Sequence, residues 1–218
     1  MKTPTIDWKK TGGLVPAIVQ DAATQQVLML GYLNAAALRK TLRTKRVTFF
    51  SRTKHRLWTK GESSGNFLHV DRVIVDCDND TLLITARPDG PTCHRGTTSC
   101  FGDGGASGVG FLAHLDQVVA ARLKSGDQKS YTVRLAKEGV ARVAQKVGEE
   151  GVETALAALS SGKADFAGEA ADLLYHLIVL LRVKKMSLAD PIAVLEKRHA
   201  PKAPPAGVPQ PAGRGRKA

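Results

Sequence analysis

The sequence lacks the features that mark secreted and membrane proteins. No apolar run approaches the roughly 18 residues that a transmembrane helix needs, and no apolar stretch typical of a signal peptide follows the polar first ten residues. The 3 cysteines are an odd number, so they cannot all pair within one chain. We therefore expect a cytoplasmic protein with reduced thiols and no membrane partner, in which the cysteines pack, bind metal or act as nucleophiles.

Acidic residues are also fewer than basic ones, since the chain has 32 lysines and arginines but only 20 aspartates and glutamates. The net charge of +12 would suit nucleic acid as a partner. However, residues 201–218 carry 4 basic and no acidic side chains, together with 5 of the 10 prolines. This composition predicts a disordered tail. Since the tail has no aromatic residue to stack on a base, we expect an appendage and no nucleic-acid partner.

The length and the pattern of the chain favour two domains. At 218 residues and 43% hydrophobic content, the chain can form one large core or two small ones. Residues 102–110 contain 5 glycines in 9 positions, which predicts a flexible connector. The domains are thus expected at 1–105 and 111–200, with a loose tail at 201–218.

The periodicity differs on the two sides of this connector. Before it, short runs rich in Val, Ile, Phe and Thr predict strands, at 14–20, 26–30, 46–51, 67–75 and 81–86. Asn34 is expected to cap a helix over 35–42. After it, apolar spacings of three and four predict helices at 111–123, 133–147 and 164–183, and Ser187 is expected to cap a last one. The predicted fold class is a β-rich α+β domain followed by an all-helical bundle.

The cysteines of the first half have the spacing C-x15-C-x6-C. Thiolates suit zinc, and three ligands with one open position are typical of a catalytic zinc site. Structural zinc sites usually have four protein ligands, often as C-x2-C pairs, which the sequence lacks. Cys77, Cys93 and Cys100 could equally be unrelated buried thiols, and the spacing alone does not decide.

Asp76, Asp78 and Asp80 alternate along the chain. On an extended segment their carboxylates would share one face, where they would repel one another unless a cation such as Mg²⁺ lay between them. An EF-hand loop is excluded, because Thr81 and Arg87 occupy the positions that need Gly and Glu. A polar turn between two strands remains the alternative.

Residues 57–66, with Ser51 and Arg52 before them, combine an indole, cations, hydroxyls and glycines. Such a loop suits phosphate contact and stacking on a flat ring, although many surface loops have a similar composition.

Taken together, these motifs resemble phosphoribosyl-AMP cyclohydrolases of histidine biosynthesis over most of residues 8–101. The resemblance implies zinc on Cys77, Cys93 and Cys100, completed across a homodimer, and magnesium on Asp76, Asp78 and Asp80. It further implies that zinc-activated water opens the adenine ring at N1–C6, with His94 as a proton shuttle. The implied substrate-binding residues are Ser51, Arg52, Trp58, Lys60, Glu62, Ser63, Ser64 and Asn66.

The helical half contains two acidic pairings with helical spacing. Glu149 and Glu150 share faces with Glu153, and Glu169 shares one with Asp172. A solvated acidic face is the usual explanation. A metal site is favoured here because Glu169 and Asp172 open a strongly apolar helix. In addition, Gly148 and Gly151 are expected to interrupt their helix and admit a close neighbour.

E-E-x-x-E followed by E-x-x-D resembles the MazG-like nucleotide pyrophosphohydrolases, and residues 111–200 are similar to phosphoribosyl-ATP pyrophosphohydrolases in particular. The resemblance implies magnesium on Glu149, Glu150, Glu153, Glu169 and Asp172. Glu150 and Lys146 are then the expected catalytic groups, and Arg142 and Lys146 are expected to neutralise phosphate charge.

These two resemblances imply consecutive reactions. Phosphoribosyl-ATP would lose pyrophosphate in the second domain, and the resulting phosphoribosyl-AMP would be ring-opened in the first. One alternative is a general nucleotide pyrophosphatase with a non-catalytic zinc-binding first domain. Another is a zinc-stabilised nucleic-acid-binding protein that uses the basic tail.

Overall fold

The computed structural model describes residues 3–102, 105–160 and 162–200. The predicted tail at 201–218 lies outside this part, as do residues 103 and 104 of the predicted connector. Strands and one helix occupy the first half of the described chain and helices occupy the second, which confirms the predicted fold class. Within the described ranges, no helix has both the length and the apolar character needed to cross a membrane.

The first half contains a four-stranded sheet, a hairpin and one helix. In chain order the elements are β1 (Val15–Asp21), β2 (Val27–Leu33), α1 (Ala35–Thr44), β3 (Thr48–Ser51), β4 (Arg56–Thr59), β5 (Leu68–Val75) and β6 (Leu82–Pro88). The sheet has the order β2-β1-β6-β5. Strands β1 and β6 run parallel, whereas the other neighbours are antiparallel. Strands β3 and β4 pair separately as the hairpin.

Alternation of side chains builds the core of this half. Val15, Ala17 and Val19 of β1 are fully buried, and the residues between them are only partly covered. Asn34 caps α1 as predicted, because its Oδ1 accepts from the Ala37 N–H at 2.8 Å. Strand β4 was not predicted. It forms because Trp58 packs against Phe49 across the hairpin, with ring centroids 5.6 Å apart.

The second half is helical. Its elements are α2 (Gly110–Ser125), α3 (Tyr131–Lys137), α4 (Val140–Ser160), α5 (Lys163–Val183) and α6 (Ala189–His199). Helices α4 and α5 pack chiefly against each other. The buried core here is small and consists of Val119, Leu135, Val143, Ile178 and Val179.

Three local predictions in this half were wrong. The helix expected over 133–147 is two helices, because the chain turns at Gly139 with a φ of +95°, which favours glycine. Gly148 and Gly151 do not interrupt α4, and a Cβ at either would meet no described atom within 4 Å. The last helix begins one residue later than expected, since Leu188 rather than Ser187 is the N-cap.

Candidate metal and substrate sites

The loop between β4 and β5 forms one wall of a cavity of about 340 Å³. Five of the predicted substrate-binding residues line this cavity, namely Trp58, Lys60, Ser63, Ser64 and Asn66. Cys93 and His94 line it as well, from the segment that follows β6. The folded chain therefore brings two distant motifs to one cavity.

The conformation of this loop depends on a glycine and on two polar contacts. Gly61 has a φ of +91°, and a Cβ there would lie 2.5 Å from the Asn66 carbonyl oxygen, so a larger residue does not fit. Glu62 accepts from the Thr59 N–H at 3.1 Å and pairs with Arg56 at 2.7 Å. Partial burial raises the pKa of Glu62, but Arg56 and Thr59 outweigh it and lower the pKa overall. Glu62 thus holds the loop rather than facing the cavity.

Two other predicted substrate-binding residues also lie outside the cavity lining. The Arg52 guanidinium stacks over the Tyr32 ring at 4.0 Å. The Ser51 hydroxyl accepts from the Lys54 N–H at 3.2 Å. Both contacts shape the turn after β3.

Cys93 and Cys100 are neighbours with different proton affinities. The Arg95 backbone N–H, helped by the Thr97 hydroxyl, lowers the pKa of the Cys93 thiol. Burial and the adjacent Cys93 raise the pKa of Cys100. Cys93 is therefore the sulfur readier to ionise, as a metal ligand must. The His94 Nδ1 lies 3.9 Å from the Cys93 sulfur.

Cys77 is separate from this pair. In the described part of the chain, the three sulfurs do not all lie within 4.8 Å of one another. Cys77 is exposed, and its sulfur contacts the Asp78 carboxylate at 4.0 Å. Within the described residues, the three thiols of one chain therefore do not form a single cluster with metal-ligand spacing.

Asp76, Asp78 and Asp80 each offer a carboxylate oxygen within 4.8 Å of the other two. The segment is a turn and not the extended run that the alternation suggested. Asp76 stabilises the turn by accepting from the backbone N–H groups of Asp80 and Thr81, both at 3.0 Å. The clustering therefore comes from the turn, which folds the carboxylates together.

Lys10 was not predicted as part of this cluster. Its ammonium pairs with Asp78 and, at 2.5 Å, with Asp80. Both carboxylates raise the pKa of Lys10 well above its usual range. Because Lys10 is distant in sequence from the aspartates, no local pattern could have revealed the pairing.

In the helical half, Glu150, Glu169 and Asp172 form a second carboxylate group within 4.8 Å. Glu150 comes from α4 and the other two from α5, so the packing of these helices assembles the group. Glu150 is only 5% exposed. Its Oε1 lies 2.8 Å from the Lys146 ammonium, whose pKa Glu150 and Glu149 raise.

The other two predicted ligands flank this group. Glu149 binds Lys146 at 3.0 Å and accepts from the Gln145 amide at 2.8 Å, and the Lys146 contact lowers its pKa. Glu153 has a raised pKa, chiefly through lost hydration and then through the charges of Glu150 and Glu169. Glu153 thus adjoins the trio, whereas Glu149 is held by cations.

A buried histidine missed by the sequence analysis also contacts Glu150. His176 is 5% exposed, and its Nδ1 lies 3.5 Å from the Glu150 Oε1. The signal for it was its position on α5, four residues after Asp172, which places both on one helix face.

Comparison with known proteins identifies two families along the chain. The family described as phosphoribosyl-AMP cyclohydrolase matches residues 29–102, and phosphoribosyl-ATP pyrophosphohydrolase matches residues 112–199. The chain is 56% identical over 194 residues to the histidine biosynthesis bifunctional protein HisIE of Escherichia coli K12, covering 89% of this chain and 95% of that protein. It is 58% identical over 196 residues to the HisIE protein of Xylella fastidiosa Temecula1, covering 90% and 94%.

Proposed function

The chain belongs to the family of histidine biosynthesis bifunctional proteins, with a phosphoribosyl-AMP cyclohydrolase and a phosphoribosyl-ATP pyrophosphohydrolase in one polypeptide, and we propose that metal ions serve both of its sites. The helical half hydrolyses phosphoribosyl-ATP to phosphoribosyl-AMP and pyrophosphate. The first half then opens the adenine ring of phosphoribosyl-AMP at the N1–C6 bond.

The observation that carries the proposal is the meeting of the 57–66 loop with Cys93 and His94 at one cavity. Trp58 offers a flat face to the adenine ring. Lys60, Ser63 and Ser64 offer a cation and hydroxyl donors to phosphate. His94 lies beside Cys93 and is the group that we assign to proton transfer.

Zinc suits the thiol ligands of the first domain. Cys93 and Cys100 lie together, and the lowered pKa of Cys93 favours the thiolate that zinc binds. The buried Thr92 hydroxyl, beside Cys93, has no hydrogen-bond partner among the described residues, which is consistent with a polar group completing this site. When bound, zinc supplies a water acidic enough to attack the ring near neutral pH.

A homodimer explains why Cys77 is separate. We propose that Cys77 of one subunit completes the site formed by Cys93 and Cys100 of the other. The helical half also has apolar side chains that the described part of the chain leaves exposed, including Val152, Leu156 and Leu159, which are 60%, 58% and 86% exposed. Such a surface suits pairing with a second copy. We place this dimer in the cytoplasm, where the thiols would stay reduced.

Magnesium suits both carboxylate groups, since it prefers oxygen ligands. In the second domain, Glu150, Glu169 and Asp172 are the inner ligands, and Glu149 and Glu153 adjoin them. Magnesium there would hold the triphosphate and activate the attacking water. Lys146, whose ammonium lies 2.8 Å from the Glu150 Oε1, would neutralise phosphate charge beside the bound metal.

The proposal is tested by incubating the purified protein with phosphoribosyl-ATP, Mg²⁺ and Zn²⁺ and identifying the products. We expect pyrophosphate and the ring-opened product in equal amounts. Pyrophosphate without ring opening would favour the alternative, a nucleotide pyrophosphatase whose first domain binds zinc without catalysis.

Cys93→Ala separates the two sites. The variant should lose ring opening of phosphoribosyl-AMP and bound zinc while keeping pyrophosphate release. Ring opening that survives this substitution would contradict the assignment of the zinc site. Asp127→Asn, at an exposed loop position in the second half, is the matched control and should change neither activity.

A further inference from the structure

We propose that His176, held by Tyr131, is a positioning residue that orients the Glu150 carboxylate in the pyrophosphohydrolase site. The inference rests on the proposed function, which makes Glu150 a metal ligand. Three helices meet at this point, because Tyr131 begins α3, Glu150 lies on α4 and His176 lies on α5.

The hydrogen bonds of His176 define the role of each ring nitrogen. Nδ1 lies 2.9 Å from the Asp172 carbonyl oxygen, which can only accept, so Nδ1 carries a proton. The same N–H side of the ring faces the Glu150 Oε1 at 3.5 Å. His176 therefore links the backbone of one proposed metal ligand to the side chain of another.

Tyr131 holds the other edge of the ring. Its hydroxyl lies 3.1 Å from the His176 Nε2, and in the neutral ring it donates to that nitrogen. The two rings meet edge to face at 6.1 Å, so the imidazole cannot turn without losing both contacts. The 3.5 Å approach of Nδ1 to Glu150 is longer than the two hydrogen bonds of the ring, so His176 acts by filling the space beside the carboxylate and by its N–H dipole. Residues that surround metal ligands in this way commonly set their orientation, and their mutation typically costs about 10–100-fold in metal affinity or activity.

Tyr175, which precedes His176 on α5, provides a matched control for Tyr131. Its hydroxyl bonds the Thr132 hydroxyl at 2.7 Å and makes no hydrogen bond to Glu150 or His176. Tyr131→Phe and Tyr175→Phe thus each remove one hydroxyl from neighbouring, stacked rings. Only the first removal should affect the carboxylate group.

The test is calorimetric titration of the full-length protein with Mg²⁺ alone, following the binding component that Glu150→Gln abolishes. His176→Leu should weaken this component by about 10–100-fold. His176→Asn keeps a donor near the Nδ1 position and should restore most of the affinity. Tyr131→Phe should bind several-fold more weakly than Tyr175→Phe, which should match the unaltered protein. At saturating Mg²⁺, His176→Leu should regain most of its kcat for pyrophosphate release.

Unchanged Mg²⁺ affinity in folded His176→Leu would overturn the positioning role. If that variant does not fold, equal affinities for Tyr131→Phe and Tyr175→Phe would overturn it instead. If Glu150→Gln itself leaves Mg²⁺ binding unchanged, the proposed metal site fails, which is a different result from the failure of His176 alone.

Discussion

At the scale of single residues, Lys10 changes the interpretation of the first-domain aspartates. Three carboxylates on one turn would repel one another, and in this chain an ammonium from the N-terminal segment offsets part of that repulsion. A magnesium ion that binds this turn must displace Lys10. We therefore expect the Lys10 ammonium to compete with magnesium for these carboxylates.

Lys10→Met should strengthen Mg²⁺ binding at Asp76, Asp78 and Asp80. We expect a gain of roughly fivefold, because one competing unit charge is removed from a solvent-exposed site. The measurement is Mg²⁺ titration in a Glu169→Gln background, which disables the second site. Lys9→Met is the control, since Lys9 is exposed and adjacent. Equal affinities for the two lysine variants would contradict the competition.

At the scale of elements, a partly buried ion pair between Asp116 and Arg182 joins α2 and α5. Asp116, which is 6% exposed, accepts from the Arg182 Nε at 2.6 Å and from the Leu188 N–H at 3.3 Å. The carboxylate thereby ties α2 to α5 and to the start of α6. Since the helical core contains few fully buried side chains, this pair contributes to holding the bundle together.

Asp116→Asn should lower the free energy of unfolding by about 1–3 kcal/mol, because it leaves the partly buried Arg182 without its carboxylate. Chemical denaturation followed by circular dichroism measures this loss. Glu196→Gln removes an exposed carboxylate from α6 and should have little effect. A similar decrease in the free energy of unfolding in both variants would show that net charge, rather than the Asp116–Arg182 ion pair, determines this part of the stability.

The first turn of α6 should give the protein a pH-dependent contribution to stability. The Ser187 N–H and hydroxyl donate to Asp190 at 2.7 and 2.9 Å and lower its pKa. Because the folded pKa lies below the unfolded one, the contribution is complete above about pH 4 and is lost as the pH falls through the folded value. The melting temperature of Asp190→Asn should thus lie below that of the unaltered protein at pH 7, and the gap should close in acid. A gap that persists in acid would contradict this.

At the scale of the whole molecule, the position of Cys77 predicts complementation between subunits. Cys77→Ala and Cys93→Ala should each lack cyclohydrolase activity as pure proteins. Co-expressed, they should form mixed dimers in which one of the two zinc sites has all its thiols. About a quarter of the sites should then be active if the subunits pair at random.

Phosphoribosyl-AMP turnover by the separated variants and by the co-expressed mixture measures this effect. Co-expression of Cys93→Ala with Cys100→Ala is the control. Because one subunit supplies both Cys93 and Cys100 to a site, every site in such a mixed dimer would lack one thiol. Recovery in that control would contradict a site shared between subunits.

Much of the fold followed from local pattern. Runs rich in β-branched and aromatic residues predicted the sheet strands, because such side chains pack well on a pleated surface. Apolar spacings of three and four predicted the helices, because side chains on one face of a helix are buried together. Strand β4 was missed because its stability comes from Trp58 packing on Phe49, a contact between separate strands. The break at Gly139 was missed because apolar spacing continues across it.

The sequence by itself determined the order of a β-rich half and a helical half and the positions of the thiols and carboxylates, since these follow from composition and spacing. Only the tertiary structure decided which of them meet. It joined Glu150 to Glu169 and Asp172 across two helices, separated Cys77 from Cys93 and Cys100, and brought Lys10 and His176 to carboxylates. The physical reason is that distances between residues far apart in the chain depend on packing, which no local pattern records.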